Sequence, residues 1–187
     1  MANVINLVNV MNSLHNLMGH RVNPGGTDED LKRYAQRSFE YCWRYYKWRW
    51  SMKTGSTSDD GVLPDDFDLD GFYSVAENYN VIWDTGLKKL RFDPAVAVTD
   101  FTYQMAPPIL GEDAAGSAPF PSAQVVALGA TIYAKQAENP TRADVQQEWD
   151  MFHAELDRLV GRAYANQPRR PMNYHDKMGT FPGDVGA

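Results

Sequence analysis

One stretch of the sequence has the residue types and spacing of a calcium-binding loop. Residues 66–77 place Asp66, Asp68 and Asp70 at the first, third and fifth positions, a glycine at the sixth and Glu77 at the twelfth. Carboxylate oxygens at these offsets are the ligands that Ca²⁺ prefers. An EF-hand also needs a helix on each side, whereas GVLP precedes this loop, NYNV follows it, and no second loop accompanies it. We therefore predict no metal site and keep a calcium-binding module as an alternative function.

The other residue types that serve catalysis are scattered. The histidines have no metal-ligand spacing: His15, His20, His153 and His175. On a helix, His153 would not face Glu148 or Glu155, so these groups are interpreted as solvated surface residues. Cys42 lies in an aromatic segment and is interpreted as a small buried filler. P-loop, G-x-G-x-x-G and G-x-S-x-G motifs are missing from the sequence, which predicts a protein that is not an enzyme and uses no cofactor.

Composition limits the class of protein. The chain has 187 residues, of which 43% are hydrophobic and 22% charged, values typical of a globular domain with room for a small second lobe. The net charge of −6 argues against a protein that grips phosphates. A single cysteine excludes an intramolecular disulfide. The sequence lacks an apolar run of about 20 residues and a secretory signal, so we expect a cytosolic protein without a membrane partner.

Apolar residues at helical spacing predict helices toward both ends of the chain. Thr27, Ser122 and Thr141 are the predicted N-caps of the last three helices, and three acidic residues follow Thr27 where the helix dipole favours them. The predicted helices cover about 4–18, 28–50, 122–137 and 141–166.

The middle of the chain lacks this helical spacing of apolar residues. Residues 51–71 are polar and acidic, and residues 72–105 have the alternation of strands, with a hairpin that turns at 84–86. A strand with one apolar face is predicted over 97–105, and a loop rich in proline and alanine over 107–121.

These patterns predict an α+β fold that is mainly helical. It comprises a bundle of about four helices, a small antiparallel β insertion and an extended C-terminal tail. The predicted domains are a helical bundle from 1–50 and 122–166, a β-rich lobe with an acidic loop at 51–121, and a tail at 167–187.

Aromatic residues are concentrated at the end of the second predicted helix, where seven of the twelve residues in 39–50 are aromatic. A helix that is apolar over most of its circumference needs partners on more than one side, and this chain has few elements to supply them. We therefore predict a subunit interface at Phe39, Trp43, Tyr46 and Trp50, side chains of the kind enriched at interfaces. Core packing against the β lobe is the alternative for about half of the aromatics, and a strand over 39–45 is a second alternative.

Charge is also segregated along the chain. Residues 31–53 hold seven Lys or Arg and one Glu, and residues 59–70 hold six Asp and no cation. Within one chain we expect two solvated patches that never meet. In a ring, opposite patches on the two flanks of a subunit would steer its neighbours into register.

The order of these features resembles the head–tail connector family of bacteriophages, also called adaptors or gatekeepers, and in particular the tail tubular protein A-like type of short-tailed phages. The resemblance runs from about 28 to 165 and lies in a series of short pieces: Trp48-Arg49-Trp50-Ser51, Leu63-Pro64-Asp65-Asp66-Phe67, Leu90-Arg91-Phe92, Pro107-Pro108-Ile109-Leu110, Ala127-Leu128-Gly129-Ala130 and Trp149. The long acidic loop at 54–71 departs from the family pattern.

The resemblance implies a structural virion protein at the head–tail junction, assembled in the host cytoplasm. It implies a homo-oligomeric ring, commonly of twelve copies, below the portal protein and above a tail nozzle or other tail protein. Genomic DNA would pass through the lumen without specific binding, as net acidity favours.

The family also implies that the C-terminal segment reaches into the portal. Because an unstructured tail can order on a partner, we predict that Arg169, Arg170 and Tyr174 in this segment dock on the portal. A small DNA-packaging or DNA-binding factor that uses the basic face of helix 2 remains a further alternative.

Overall fold

The computed structural model describes residues 4–19, 27–75, 79–138 and 145–165. In these ranges the elements follow in the order β1 (Val4–Ile5), α1 (Leu7–Leu17), α2 (Asp28–Arg44), β2 (Met52–Gly55), β3 (Tyr73–Ser74), β4 (Asn80–Asp84), β5 (Lys89–Asp93), β6 (Phe101–Gln104), β7 (Ala118–Pro119), α3 (Ala123–Glu138) and α4 (Val145–Ala165). They form a mixed α+β fold that is mainly helical with small antiparallel sheets, as predicted. In the same ranges, no helix combines the length and the apolar character needed to cross a membrane.

Side-chain caps determine where three of the helices begin. The Thr27 hydroxyl accepts the Asp30 backbone N–H, and the Asp30 carboxylate accepts the Thr27 backbone N–H, so the predicted cap of α2 is confirmed. Ser122 accepts the Val125 N–H at 3.2 Å, which confirms the predicted start of α3. Asn6 caps α1, which therefore begins at residue 7 and not at residue 4 as predicted. The two residues before Asn6 pair instead with β7.

Helix α3 is the centre of the bundle, where it packs against α1, α2 and α4. Gly129 lies at the closest approach. A Cβ there would meet the Ser38 hydroxyl of α2 on one side and the Phe152 ring of α4 at 2.9 Å on the other. Ser38 donates to the Val126 carbonyl at 2.7 Å, which joins α2 to α3 through the backbone. The absence of a side chain at residue 129 therefore lets two helices approach α3 together.

The β lobe consists of a three-stranded antiparallel sheet, β2-β6-β3, and the predicted β4–β5 hairpin. Strand β2 lies in the stretch predicted as a polar loop, and β6 covers only the second half of the strand predicted over 97–105. The segment at 61–63 runs along β5, where Leu63 N–H bonds the Leu90 carbonyl and Phe92 N–H bonds the Gly61 carbonyl, both at 3.0 Å. The core of the lobe consists of Leu63, Phe67, Phe92, Phe101 and Tyr103.

Helix α2 ends at Arg44 and not near residue 50, so the prediction of its C-terminal end is wrong. The Trp48 indole donates to the Cys42 carbonyl at 2.8 Å, and the Gln104 amide donates to the Trp43 carbonyl at 2.7 Å. In a continuing helix these carbonyls would accept the N–H groups of residues 46 and 47. Because two side chains occupy them, the chain leaves the helix and turns toward β2.

Among the described residues, the bundle and the lobe have separate cores that meet at one side chain. Met105 packs against both clusters of buried side chains. Leu110, Ala118 and Phe120 belong to the helical core, so the end of the segment predicted as part of the lobe packs in the bundle. The predicted tail at 167–187 lies outside the described residues.

Candidate assembly surface

The four aromatic residues predicted to form a subunit interface differ in how deeply they are buried within the chain. Phe39 is 0% exposed and Trp43 is 1% exposed within the single chain, so the interface prediction is wrong for these two. Tyr46 and Trp50 are partly buried against the same helical core. Their role at an interface stays a prediction.

Part of the surface of these aromatic residues is buried by another segment of the same chain, which the sequence patterns do not mark as core. The Phe120 ring, just after β7, lies 6.0 Å from Phe39 and 5.6 Å from Trp48 in edge-to-face arrangements. Trp48 in turn stacks on Trp50 at 5.2 Å. Edge-to-face and stacked aromatic pairs stabilise a core beyond the area that they bury. The only sequence signal for this packing is one phenylalanine between prolines, Pro119 and Pro121.

The two charge runs meet within one chain, which overturns the expectation of separate patches. Arg44 makes a bidentate ion pair with Asp68, with N–O distances of 2.7 and 3.1 Å. Lys53 forms a second ion pair, with Asp66 at 2.6 Å. Asp68 is only 4% exposed, and its bond to Arg44 raises the pKa of that guanidinium. Charges that neutralise each other inside a subunit are not free to steer its neighbours.

The same ion pairs occupy the first two ligand positions of the calcium-like loop. Besides Lys53, Asp66 accepts the Tyr103 hydroxyl at 2.6 Å, and Asp68 faces Arg44. The described part of the loop leads into β3, with no helix on either described side, and Glu77 lies outside the described residues. In the part of the chain that the structure describes, no group of three or more His, Cys, Asp or Glu is arranged to hold a metal ion.

His153 is half-buried between Tyr41 of α2 and Tyr45 just after that helix, so its interpretation as a solvated surface group is wrong. Its Nε2 lies 2.8 Å from the Tyr41 hydroxyl, and its ring stacks on Tyr45 at 6.0 Å. Tyr45 donates to Asp157 at 2.8 Å, and burial together with this carboxylate raises the pKa of Tyr45 to about 12. Cys42, in contrast, is the buried filler that the sequence predicted, and burial raises the pKa of its thiol.

A groove of about 390 Å³ lies beside this cluster. Its lining is Arg37, Glu40, Tyr41, Arg44, Tyr45 and Tyr133. The Arg37 guanidinium lies 4.6 Å above the Tyr133 ring, a cation–π contact. Burial raises the pKa of Tyr41, Tyr45 and Tyr133, so these hydroxyls keep their protons at neutral pH. The groove therefore combines protonated tyrosine hydroxyls with two guanidinium groups and the Glu40 carboxylate.

The tip of the β4–β5 hairpin presents large apolar side chains to solvent. Trp83 is 59% exposed and Leu87 is 49% exposed. Asp84 organises the turn, because one of its oxygens accepts the N–H groups of Gly86 and Leu87 at 2.9 Å and the other pairs with Arg91 at 2.7 Å. The Leu87 N–H and the Arg91 guanidinium hold the pKa of Asp84 below its usual range.

Another exposed apolar residue, Ile109, lies in a loop whose backbone is anchored by hydrogen bonds. It is 82% exposed, while its neighbour Leu110 is buried. The Gln36 side chain accepts the Leu110 N–H at 2.9 Å and donates to the Pro108 carbonyl at 3.3 Å, so the loop is anchored on both sides of Ile109. Other large apolar side chains are exposed elsewhere on the surface: Val4, Val8, Leu17, Leu69, Phe72, Tyr73 and Met151.

The predicted portal-docking residues Arg169, Arg170 and Tyr174 lie outside the described residues. Comparison of the chain with protein-family models and with curated protein sequences finds no match.

Proposed function

We propose that this chain is a structural subunit that assembles with copies of itself into a ring at the head–tail junction of a bacteriophage. The proposal has it act as an assembly component, without catalysis and without a cofactor. The observation that carries it is the exposure of large apolar side chains, above all Trp83, Leu87 and Ile109, on hydrogen-bonded backbone in a fold of the kind that the resemblance implies.

Rigid, exposed apolar groups favour assembly for two physical reasons. Apolar surface that stays in water is unfavourable by about 25 cal/mol per Å², so covering it drives association. A side chain that is already fixed loses little conformational entropy when a partner covers it. The hydrogen bonds of Asp84 at the hairpin tip and of Gln36 behind Ile109 fix the backbone that carries these side chains, so less backbone entropy is lost when a partner binds. Tryptophan is also among the residues that dominate binding energy at interfaces.

The proposed ring has a portal protein on one side and a tail nozzle or other tail protein on the other, with about twelve copies as the family resemblance implies. Genomic DNA passes through the lumen and is not bound specifically. The net charge of −6 supports that role, since an acidic conduit does not retain phosphates.

The alternative of a DNA-binding factor receives less support from the same contacts. Most of the cations on and just after α2 already face carboxylates of their own chain: Lys32 with Glu112, Arg33 with Asp30, Arg44 with Asp68 and Lys53 with Asp66. Phosphate binding would have to displace these pairs.

Mass photometry and negative-stain microscopy test the proposal on the full chain, alone and mixed with portal rings from the same genome. We expect a ring of defined copy number in at least one condition, stacked on the portal in the mixture. A chain that stays monomeric in both conditions, with portal rings left unoccupied, would refute the proposed function.

A further inference from the structure

We propose that the hairpin tip of one copy docks on the outer face of α4 in the next copy, with Trp83 against Met151 and Lys88 beside Asp150. This inference rests on the proposed ring and names the contact that joins its subunits.

The donor surface is the tip of the β4–β5 hairpin, formed by the end of β4 and the turn that follows it. Its two large apolar side chains, Trp83 and Leu87, are 59% and 49% exposed. Lys88 follows in the turn with a positive φ of 52°, is exposed, and has no ion pair among the described residues. The tip therefore combines a large aromatic ring, an aliphatic side chain and an unpaired cation at one end of the hairpin.

The acceptor surface is the solvent side of α4. Met151 is 58% exposed there, and Gln147 and Ala154, one helical turn away on either side, are exposed and uncharged. Asp150 lies beside Met151, accepts an amide N–H from Gln146 at 3.0 Å, and has no ion pair in the described ranges. The surface thus combines a flexible thioether with an unpaired carboxylate.

The two surfaces are complementary in chemistry. A methionine sulfur packs favourably against an aromatic ring, and opposite charges at the rim of a contact orient it. Two other exposed apolar positions, Val8 and Leu69, fit the tip less well because the charges beside them are already paired. Val8 lies in a groove where Lys32 already pairs with Glu112, and the aspartates on either side of Leu69 share Arg44.

A second copy is the occupant that these observations favour. Trp83 and Met151 are both exposed in the single chain, so they do not cover each other within it. The tip and the helix face are different surfaces, and a contact between unlike surfaces is heterologous. Repetition of such a contact closes into a ring when the rotation between subunits allows it.

Charge reversal in the full chain tests the contact by sedimentation velocity or mass photometry over a concentration series. We expect Lys88→Glu and Asp150→Lys each to weaken self-association about tenfold, and the K88E/D150K pair to recover most of that loss. Trp83→Ser and Met151→Ser should also weaken association, and their combined effect should be smaller than the product of the two. Leu17→Ser removes an apolar side chain that is 42% exposed on α1 and should leave association unchanged. Far-UV circular dichroism checks the fold of each variant.

The outcomes separate this contact from the proposed function. Recovery of association in the K88E/D150K pair supports the contact. Rings that form but show independent effects of the two reversals overturn the contact and leave the ring in place. If rings form only on portal, the same series is scored by portal occupancy. A wild-type chain that never assembles, with or without portal, overturns both proposals.

Discussion

The Tyr41 hydroxyl on α2 lies 2.8 Å from Nε2 of His153 on α4, and one helical turn further Tyr45 donates to Asp157 at the same distance. Both pairs are separated by 112 residues, so α2 and α4 run parallel and stay in register over this turn. The stacking of His153 on both tyrosines closes the cluster. Polar contacts therefore fix the register of two helices that otherwise meet through aromatic rings.

The raised tyrosine pKa values predict a loss of stability in alkaline solution. Burial, with Asp157, raises the pKa of Tyr45 to about 12, and burial, with Asp66, raises that of Tyr103 to about 12. In the unfolded chain a tyrosine has a pKa of about 10. Above that pH the unfolded chain has lost tyrosine protons that the folded chain still holds. The resulting stability is complete below about pH 10 and is lost as pH rises toward about 12. Chemical denaturation at several pH values should show this fall in the free energy of unfolding.

Tyrosine-to-phenylalanine variants identify the source of the fall. Tyr45→Phe and Tyr103→Phe should each make the decline shallower, and the double variant should make it shallowest. Tyr73→Phe, at a tyrosine that is 40% exposed on β3, is the matched control and should keep the wild-type slope. Equal slopes in the wild type and all four variants would show that other groups cause the alkaline loss.

The crossing at Gly129 predicts opposite effects of the same substitution at two helical glycines. Gly129→Ala places a methyl group against Ser38 and 2.9 Å from the Phe152 ring, and overpacking of this kind costs about 1–3 kcal/mol. Gly161→Ala on α4 meets nothing within 4 Å and should gain up to about 1 kcal/mol of helix propensity. Thermal and urea unfolding of the two variants measure the difference. A Gly129→Ala protein as stable as Gly161→Ala would mean that the helices can move apart without loss.

Local signals in the sequence predicted the parts of the fold that depend on local contacts. Thr27 and Ser122 cap helices because their hydroxyls reach the N–H three residues on. The β4–β5 hairpin follows from a turn whose central contacts all come from Asp84.

Features made by distant residues were not predictable in the same way. The end of α2 depends on Gln104, which reaches the Trp43 carbonyl across 61 positions of sequence. Burial of Phe39 likewise depends on Phe120, and the pairing of Arg44 with Asp68 requires the lobe to fold back on α2. An aromatic count on one helix cannot show which distant segment covers it. That is why the predicted interface at Phe39 and Trp43 turned out to be core.

The buried amide of Gln104 predicts a strong response to a nearly isosteric substitution. Its NH₂ group donates to the Trp43 carbonyl at 2.7 Å and to the Ser51 hydroxyl at 3.0 Å, while its oxygen accepts the Phe72 N–H. In Gln104→Glu, the NH₂ donor is replaced by an acceptor beside the Trp43 carbonyl. Leaving such buried groups unsatisfied costs about 1–3 kcal/mol each, so we expect a loss of about 3 kcal/mol or more in urea unfolding.

Substitution of an exposed glutamine gives the comparison for Gln104. Gln146→Glu on α4 changes the same amide to the same carboxyl at an exposed position, where loss of the bond to Asp150 and repulsion from its carboxylate should together cost no more than about 0.5 kcal/mol. The Gln104→Glu loss should also shrink at low pH, where a protonated carboxyl can again donate. A loss equal to that of Gln146→Glu would contradict the capping role of Gln104.

The geometry of the Arg44–Asp68 pair predicts that removal of the cation alone destabilises the fold more than removal of both charges. Asp68 is 4% exposed and depends on Arg44 for its charge partner, so Arg44→Met leaves a buried carboxylate without its cation. Breaking one side of a buried pair costs about 3–5 kcal/mol, and because Arg44 is itself 33% exposed we expect about 2–3 kcal/mol here. Adding Asp68→Asn should recover part of this loss, since the remaining amide carries no charge. Arg33→Met, at an exposed ion pair with Asp30, should change stability by less than about 1 kcal/mol. If Arg44→Met is as mild as Arg33→Met, the lobe does not depend on this ion pair for its attachment to α2.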